Sequence, residues 1–425
     1  MRKGKVEKMY KIRKFLLGLF LIFLLFSLTQ ESWGQGEKGN FSSENDAIKD
    51  AQRDVDRAID ILDFVATLIG AVVALIMILL VIVGGFGFFE IRRWKKIRDE
   101  IEKDTEYIKN LRKRAEQDAN KIREEVSKLP VSITEEPPPE IREKLDELSR
   151  RLDFLEILGA SLTPIDYYNR GVYLYHEGKY DLALRAFEKA IELKPDYAEA
   201  WIGKGVALRK LGKHEEAIKC YDKAIEINPK LAEAWIGKGV ALGELGKHEE
   251  AIKCYDKAIE INPKLAEAWS NKGVALRKLG KHEEAIKCYD KAIEINPKYA
   301  AAWYNKGVAL GELGKHEEAI KCYDKAIEIN PKLAEAWSNK GVALQELGKH
   351  EEAIKCYDKA IEINPKLAEA WYNKACVYSL KGDKESALKN LSRAIELDVR
   401  LKNEAKQDED FKNLWDDEDF KKIVS

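Results

Sequence analysis

Two residue types able to bind metal or act as nucleophiles recur at a fixed interval along the C-terminal half of this sequence. His214, His248, His282, His316 and His350 form one set; Cys220, Cys254, Cys288, Cys322 and Cys356 form the other. Imidazole and thiolate are the usual ligands of zinc, and a thiolate beside an imidazole can attack an electrophile. The spacing speaks against both uses. His214 and Cys220 lie six residues apart, so on a helix they do not share a face. Equivalent cysteines of neighbouring helical units would stand about 8–10 Å apart, the ordinary separation of packed helices, and a disulfide needs closer approach. They read as packing residues copied by duplication. No phosphate-cradling glycine loop and no zinc-protease motif occurs. No catalytic residue, metal or cofactor is therefore nominated, and the chain is expected not to be an enzyme.

A repeat sets these intervals. Trp201, Trp235, Trp269, Trp303, Trp337 and Trp371 recur at a constant period, about 34 residues, which is a helix-turn-helix period. In the second repeat Trp201, Gly205, Leu208, Gly212, Ala217, Tyr221, Ala224 and Pro229 make up a pattern. The first repeat answers with Tyr167, Gly171, Leu174, Gly178, Tyr180, Ala183, Phe187, Ala190 and Pro195. The seventh departs from it, with Ala375 for the glycine, Leu391 for the aromatic and Val399 for the proline. The pattern closely resembles the tetratricopeptide repeat (TPR) over residues 164–401. That resemblance implies an all-α, right-handed solenoid of about seven units whose first helices line a concave, peptide-binding groove.

The physics of the pattern is consistent with this. Gly205 and Ala217 are small enough for two helices to approach, and Trp201 and Tyr221 are placed to fill gaps between neighbours. Asn228-Pro229 stops a helix, because proline lacks the donor that the next turn needs. One repeat cannot bury its apolar face alone, so stacking must supply the core. Glu215 and Lys219, repeated at 249/253, 283/287, 317/321 and 351/355, are spaced for helix-surface ion pairs. The segment 402–425, with Phe411, Leu414, Phe420 and Ile423 among acids, is expected to cap the last repeat.

Repeats two to six share the second-helix sequence GKHEEAIKCYDKAIEINPK and differ almost entirely in the first helix. One variable pair reads Ile202-Gly203, Ile236-Gly237, Ser270-Asn271, Tyr304-Asn305 and Ser338-Asn339. The other reads Arg209-Lys210, Gly243-Glu244, Arg277-Lys278, Gly311-Glu312 and Gln345-Glu346. Seven-residue spacing puts both pairs on one helical face. The variation thus falls where the resemblance places a ligand, while equally exposed second-helix positions are constant. The expected groove also takes in Tyr168, Asn169, Tyr372 and Asn373, over a floor of Val172, Val206, Val240, Val274, Val308 and Val342. Asparagines can hydrogen-bond an extended backbone, and tyrosines can anchor it. The lysine–asparagine clamp with which chaperone-binding relatives hold a terminal carboxylate is not matched, since Ile202 or Ser270 and then valine stand in its place. Alternating charge suggests a mixed-charge segment as ligand.

The N-terminal third has a different character. Basic residues from Arg2 to Lys14 precede an apolar run from Phe15 to Leu28, followed by Ser32-Trp33-Gly34. This reads as a signal peptide over 1–34, or as an uncleaved signal anchor. Asn40-Phe41-Ser42 is a glycosylation sequon of a kind that occurs often by chance. Residues 64–89 carry no charge until Glu90 and are long enough for a transmembrane helix. Arg92, Arg93, Lys95, Lys96 and Arg98 follow it, and the preceding segment 35–63 is acidic on balance. The positive-inside rule then makes the chain a single-pass protein of the cell membrane with its repeats in the cytoplasm.

Between span and repeats, residues 90–130 repeat apolar positions every seven residues (Trp94, Ile101, Ile108, Ala115, Ile122, Leu129), as in a coiled coil. With Ala66, Gly70 and Ala74 in the span, this allows a homodimer; a single solvated helix is the other reading. A proline-rich hinge is expected over 131–140 and a leading helix over 141–163. Charged residues make up 35% of the chain but the net charge is only -1, which argues against nucleic acid as partner. All six cysteines fall between Cys220 and Cys376, so no disulfide framework is implied. The expected function is a membrane-tethered scaffold that binds proteins or peptides in its groove. The alternative is an organiser of membrane complexes by self-association.

Overall fold

A computed structural model describes residues 88–127, 137–158 and 160–425. The expected signal segment, the exported segment and all but the end of the expected span lie outside the described residues. Among the described residues there is no strand, and no helix is long and apolar enough to cross a membrane. The chain divides into two compact units, one comprising residues 1–116 and 153–161, the other 117–152 and 162–425.

In the first unit the described part is mainly the opening of the helix Phe88–Ser127. Its surface carries ion pairs one turn apart, Arg98–Glu102 and Arg112–Glu116, and Ile101, Ile108 and Ala115 of the expected seam are half-buried. The end of the same helix belongs to the second unit. There Ala119, Ile122 and Val126 are buried, and Asp118 and Glu125 pair with Arg151 and Lys144 of the helix Pro139–Ile157. These positions of the seam are covered within one chain. Arg123 grips the buried Asp166 with two bonds of 2.6 Å, and Asp166 closes a capping box with Thr163 at the head of the first repeat.

The repeats follow as helix pairs. The first helices are Pro164–His176, Ala198–Lys210, Ala232–Glu244, Ala266–Lys278, Ala300–Glu312, Ala334–Glu346 and Ala368–Leu380. Their partners run Tyr180–Leu193, His214–Ile227, His248–Ile261, His282–Ile295, His316–Ile329, His350–Ile363 and Lys384–Leu397. Each pair is joined by a turn whose glycine adopts a left-handed conformation, Gly212 for example at φ 76°. There the Lys213 amide donates to the Leu208 carbonyl, a helix stop that side chains with a Cβ resist.

The core is built of alanines and, in the first six repeats, one ring per second helix: Ala217, Tyr221 and Ala224 are fully buried, as are Ala285, Tyr289 and Ala292. The tryptophans sit further out than expected. Trp201 is half-exposed, and its indole donates to the Pro195 carbonyl at 2.9 Å. Beside them runs an ion-pair ladder across the joints, Lys238–Asp222, Lys272–Asp256, Lys306–Asp290 and Lys340–Asp324, each 2.6 Å. The expected Glu215–Lys219 pairs are not closed; the second helix instead pairs Lys223 with Glu226 at 2.6 Å. After the seventh repeat come Leu401–Ala405, a 3-10 turn Glu409–Leu414 and Glu418–Val424, which bury Phe411, Leu414, Phe420 and Val424 on the last repeat.

Candidate binding groove

Each first helix presents equivalent side chains at each joint, and their exposure divides the expected groove residues into two groups. Asn169, Ile202, Ile236, Ser270, Ser338 and Tyr372 are buried, so they shape the wall from beneath instead of touching a ligand. Tyr168, Asn271, Tyr304, Asn305, Asn339 and Asn373 are half-exposed, as are Arg209, Arg277 and Gln345, while Lys210, Glu244, Lys278, Glu312 and Glu346 are exposed. The buried members follow from geometry. Ile236, for example, lies in one apolar cluster with Ala251 and Tyr255 of its own repeat and Ala268 of the next, and the closeness of that joint closes water out of it.

Four of the charged residues, Arg209, Glu244, Arg277 and Glu312, do not stand free. Arg209 donates to Glu244 of the next repeat at 2.7 Å, with the His214 ring 3.0 Å from the same carboxylate. Two repeats on, Arg277 meets Glu312 at 2.6 Å and His282 lies 3.1 Å from it. The alternation of charge in the sequence is therefore, in part, a pairing of neighbours across joints. Asn339 donates to the Tyr304 hydroxyl at 3.0 Å. Asn271, Asn305 and Asn373 make no side-chain hydrogen bond among the described residues.

At the C-terminal end the groove face is covered by the chain itself. The Tyr372 hydroxyl donates to Asp408 at 2.8 Å, and the Gln345 amide donates to Asp410 at 2.9 Å. Phe411 packs edge-on against Tyr372, ring centroids 5.6 Å apart. Ser379 donates to Asn413 at 2.7 Å, and Asn413 donates back to the Ser379 carbonyl. Tyr372, expected as an open anchor, is thus occupied. Cys376 and Ser379 were not foreseen as contact residues, although Cys376 replaces the valine common to the other six repeats and could have flagged this one as different.

The cysteines behave as packing residues. Burial pushes the thiols of Cys220, Cys254, Cys322 and Cys356 up to about 11, so at neutral pH they are protonated and poor ligands or nucleophiles. Cys376, Asp408 and Asp410 bring ligand-type atoms within 4.8 Å of one another. Burial and the two carboxylates hold that thiol protonated, and both carboxylates already accept the hydrogen bonds described. The set fits a hydrogen-bonded cap better than a metal site.

Comparison with known families decides the fold's kinship. Tetratricopeptide repeat models match residues 165–197, 198–231, 232–265, 266–299, 300–333 and 334–367, and a second model of that repeat matches 356–389. The chain belongs to the tetratricopeptide-repeat family. No curated protein matches. Among solved structures, this TPR chain is similar to the APC/C hetero-tetramer Cut9-Hcn1, at 19% identity with a TM-score of 0.50, over 67% of this chain and 53% of that one. It is also similar to YrrB, described as a TPR protein with an unusual peptide-binding site, at 29% identity and a TM-score of 0.36, over 45% of this chain and 98% of that one. MamA matches at 29% identity and a TM-score of 0.35, covering 39% of this chain and 96% of its own. As a TPR solenoid, the chain is a scaffold suited to protein–protein interaction.

Proposed function

We propose that this chain is a membrane-tethered scaffold that holds partner proteins as extended segments along the first-helix groove. The supporting observation is the row of amides at Asn271, Asn305 and Asn373, equivalent in their repeats, half-exposed and making no side-chain hydrogen bond among the described residues. An amide offers a donor pair and an acceptor in one plane, which suits a peptide backbone running across successive repeats. The tether rests on the uncharged run 64–89 and its basic flank.

Affinity capture from detergent-solubilised membranes tests the groove. Replacing Asn271, Asn305 and Asn373 with alanine preserves the helices, since alanine is the better helix former. The expected result is loss of the captured partners with melting no lower than that of the parent chain. Undiminished capture would place binding on another surface, and capture of this chain alone would favour the self-association reading. Alkaline extraction tests the tether: the chain should stay in the pellet, and its release would sink the tether.

A further inference from the structure

The segment that covers the last repeat also says what the groove favours. Asp408-Glu409-Asp410-Phe411 sits on the first-helix face through three contacts: Asp408 with the Tyr372 hydroxyl, Asp410 with the Gln345 amide, and Phe411 with the Tyr372 ring. Gln345 and Tyr372 come from consecutive repeats. Two repeats earlier the same two positions hold Arg277 and Tyr304, at the same interval in sequence and on the same face. Repeats 4 and 5 therefore reproduce the arrangement of repeats 6 and 7, with a guanidinium in place of the amide.

We propose that repeats 4 and 5 bind an acidic–aromatic segment of a partner protein, Arg277 taking the carboxylate that Gln345 takes at the chain's own end and Tyr304 taking the ring. This rests on the groove reading above and names the class of segment. A guanidinium holds a carboxylate more strongly than a neutral amide does. The site is already shaped for one, since Glu312 occupies Arg277 at 2.6 Å. Lys278, next in sequence and exposed, makes no ion pair among the described residues, so the local balance favours an anionic ligand. Room is present as well. The position that carries Ser379 in the last repeat is Gly311 in repeat 5, where an added Cβ would meet only the Tyr323 hydroxyl, at 3.8 Å. In repeats 2 and 3 the counterpart of Tyr304 is the buried Ile236, so Arg209 lacks the aromatic half of the site.

The probe is a fluorescein-labelled synthetic peptide, Asp-Glu-Asp-Phe-Lys-Asn-Leu, titrated by anisotropy against the full chain in detergent micelles. Two control peptides replace its acids by Asn and Gln, or its Phe by Ala. The expected result is binding about tenfold tighter than either control, the scale of one charge-assisted contact. Arg277→Gln should weaken it by a similar factor. Glu312→Gln should tighten it, because it removes the competing carboxylate; a merely structural role for the ion pair would make both variants weaken binding together. Lys223→Gln, on a second helix outside the groove, should leave it unchanged. Thermal melts confirm that each variant folds. No binding of the acidic peptide, equal binding of all three peptides, or weakening by Glu312→Gln overturns the proposal. If the neutral peptide binds equally and loses affinity on Asn305→Ala, the groove reading stands while the acidic–aromatic class falls.

Discussion

Repeats 2 and 3 and repeats 4 to 6 have the same second helix, residue for residue, yet their joints are built differently. In the first pair the ring from the preceding repeat is held between two glycines: Phe187 lies against Gly171 and Gly203, and Tyr221 against Gly205 and Gly237. In the later joints only one glycine remains, Gly239 against Tyr255 or Gly273 against Tyr289, and an asparagine stands on the far side. The first region spends its first-helix positions on closing the joint around Ile202 and Ile236, both buried. The second leaves amides and Tyr304 half-exposed. A single repeat design thus yields a closed segment and a more open one, by two residues per repeat.

What the two regions share should fail together, and with the largest effect. The thiols of Cys220, Cys254, Cys322 and Cys356 rise from an ordinary 9.0 to about 11 on folding. A group whose folded pKa is raised contributes stability that is complete below its unfolded value and lost as pH climbs through the folded one. The melting temperature should therefore hold to about pH 8.5 and drop steeply between 9 and 11, as read by thermal melts across pH. A variant with alanine at all four positions should show a shallower drop from its own baseline. An equal drop in that variant would assign the alkaline loss to the buried tyrosines instead.

What distinguishes the regions should appear in glycine substitutions. A Cβ at Gly237 would lie 2.5 Å from the Tyr221 ring, and one at Gly203 2.6 Å from Phe187. Both rings are fully buried, so neither can swing aside. Overpacking of this kind costs about 1–3 kcal/mol, against less than ~1 kcal/mol gained in helix propensity. Gly237→Ala should lower stability in urea melts, whereas Asn271→Gly, the reciprocal change in the open region, should cost only a few tenths of a kcal/mol. Equal losses would mean that the two kinds of joint are packed alike.

The array was legible because its signals are local. A tryptophan period, a glycine with no alternative at a left-handed turn, and an Asn-Pro stop each act within a few residues. The alanine-and-ring core followed from the same pattern. The candidate site was legible only as a face. That Ile202 and Ser270 are buried, or that Arg277 is held by Glu312, depends on how closely one repeat approaches the next, which the period does not encode. Most hidden was the return of Asp408–Leu414 onto the face of Tyr372. Its acids and apolar residues predict a cap, but nothing local says which face of the last repeat receives it.

The smallest effect concerns two glycines with no ring against them. Gly243 and Gly311 lie in first helices, Gly243 with nothing within 4 Å of an added Cβ and Gly311 with only the Tyr323 hydroxyl near that limit. A glycine inside a helix costs about 0.5–1 kcal/mol relative to alanine, and here no internal contact accounts for it. Gly243→Ala and Gly311→Ala should therefore each stabilise the fold by about that amount, read as a rise of the urea midpoint at constant slope. Neither should change binding of the acidic peptide: Gly243 lies outside repeats 4 and 5, and Gly311 holds the position of Ser379, where a Cβ coexists with the segment seated on the last repeat. If neither substitution stabilises, both helices are already held by their joints.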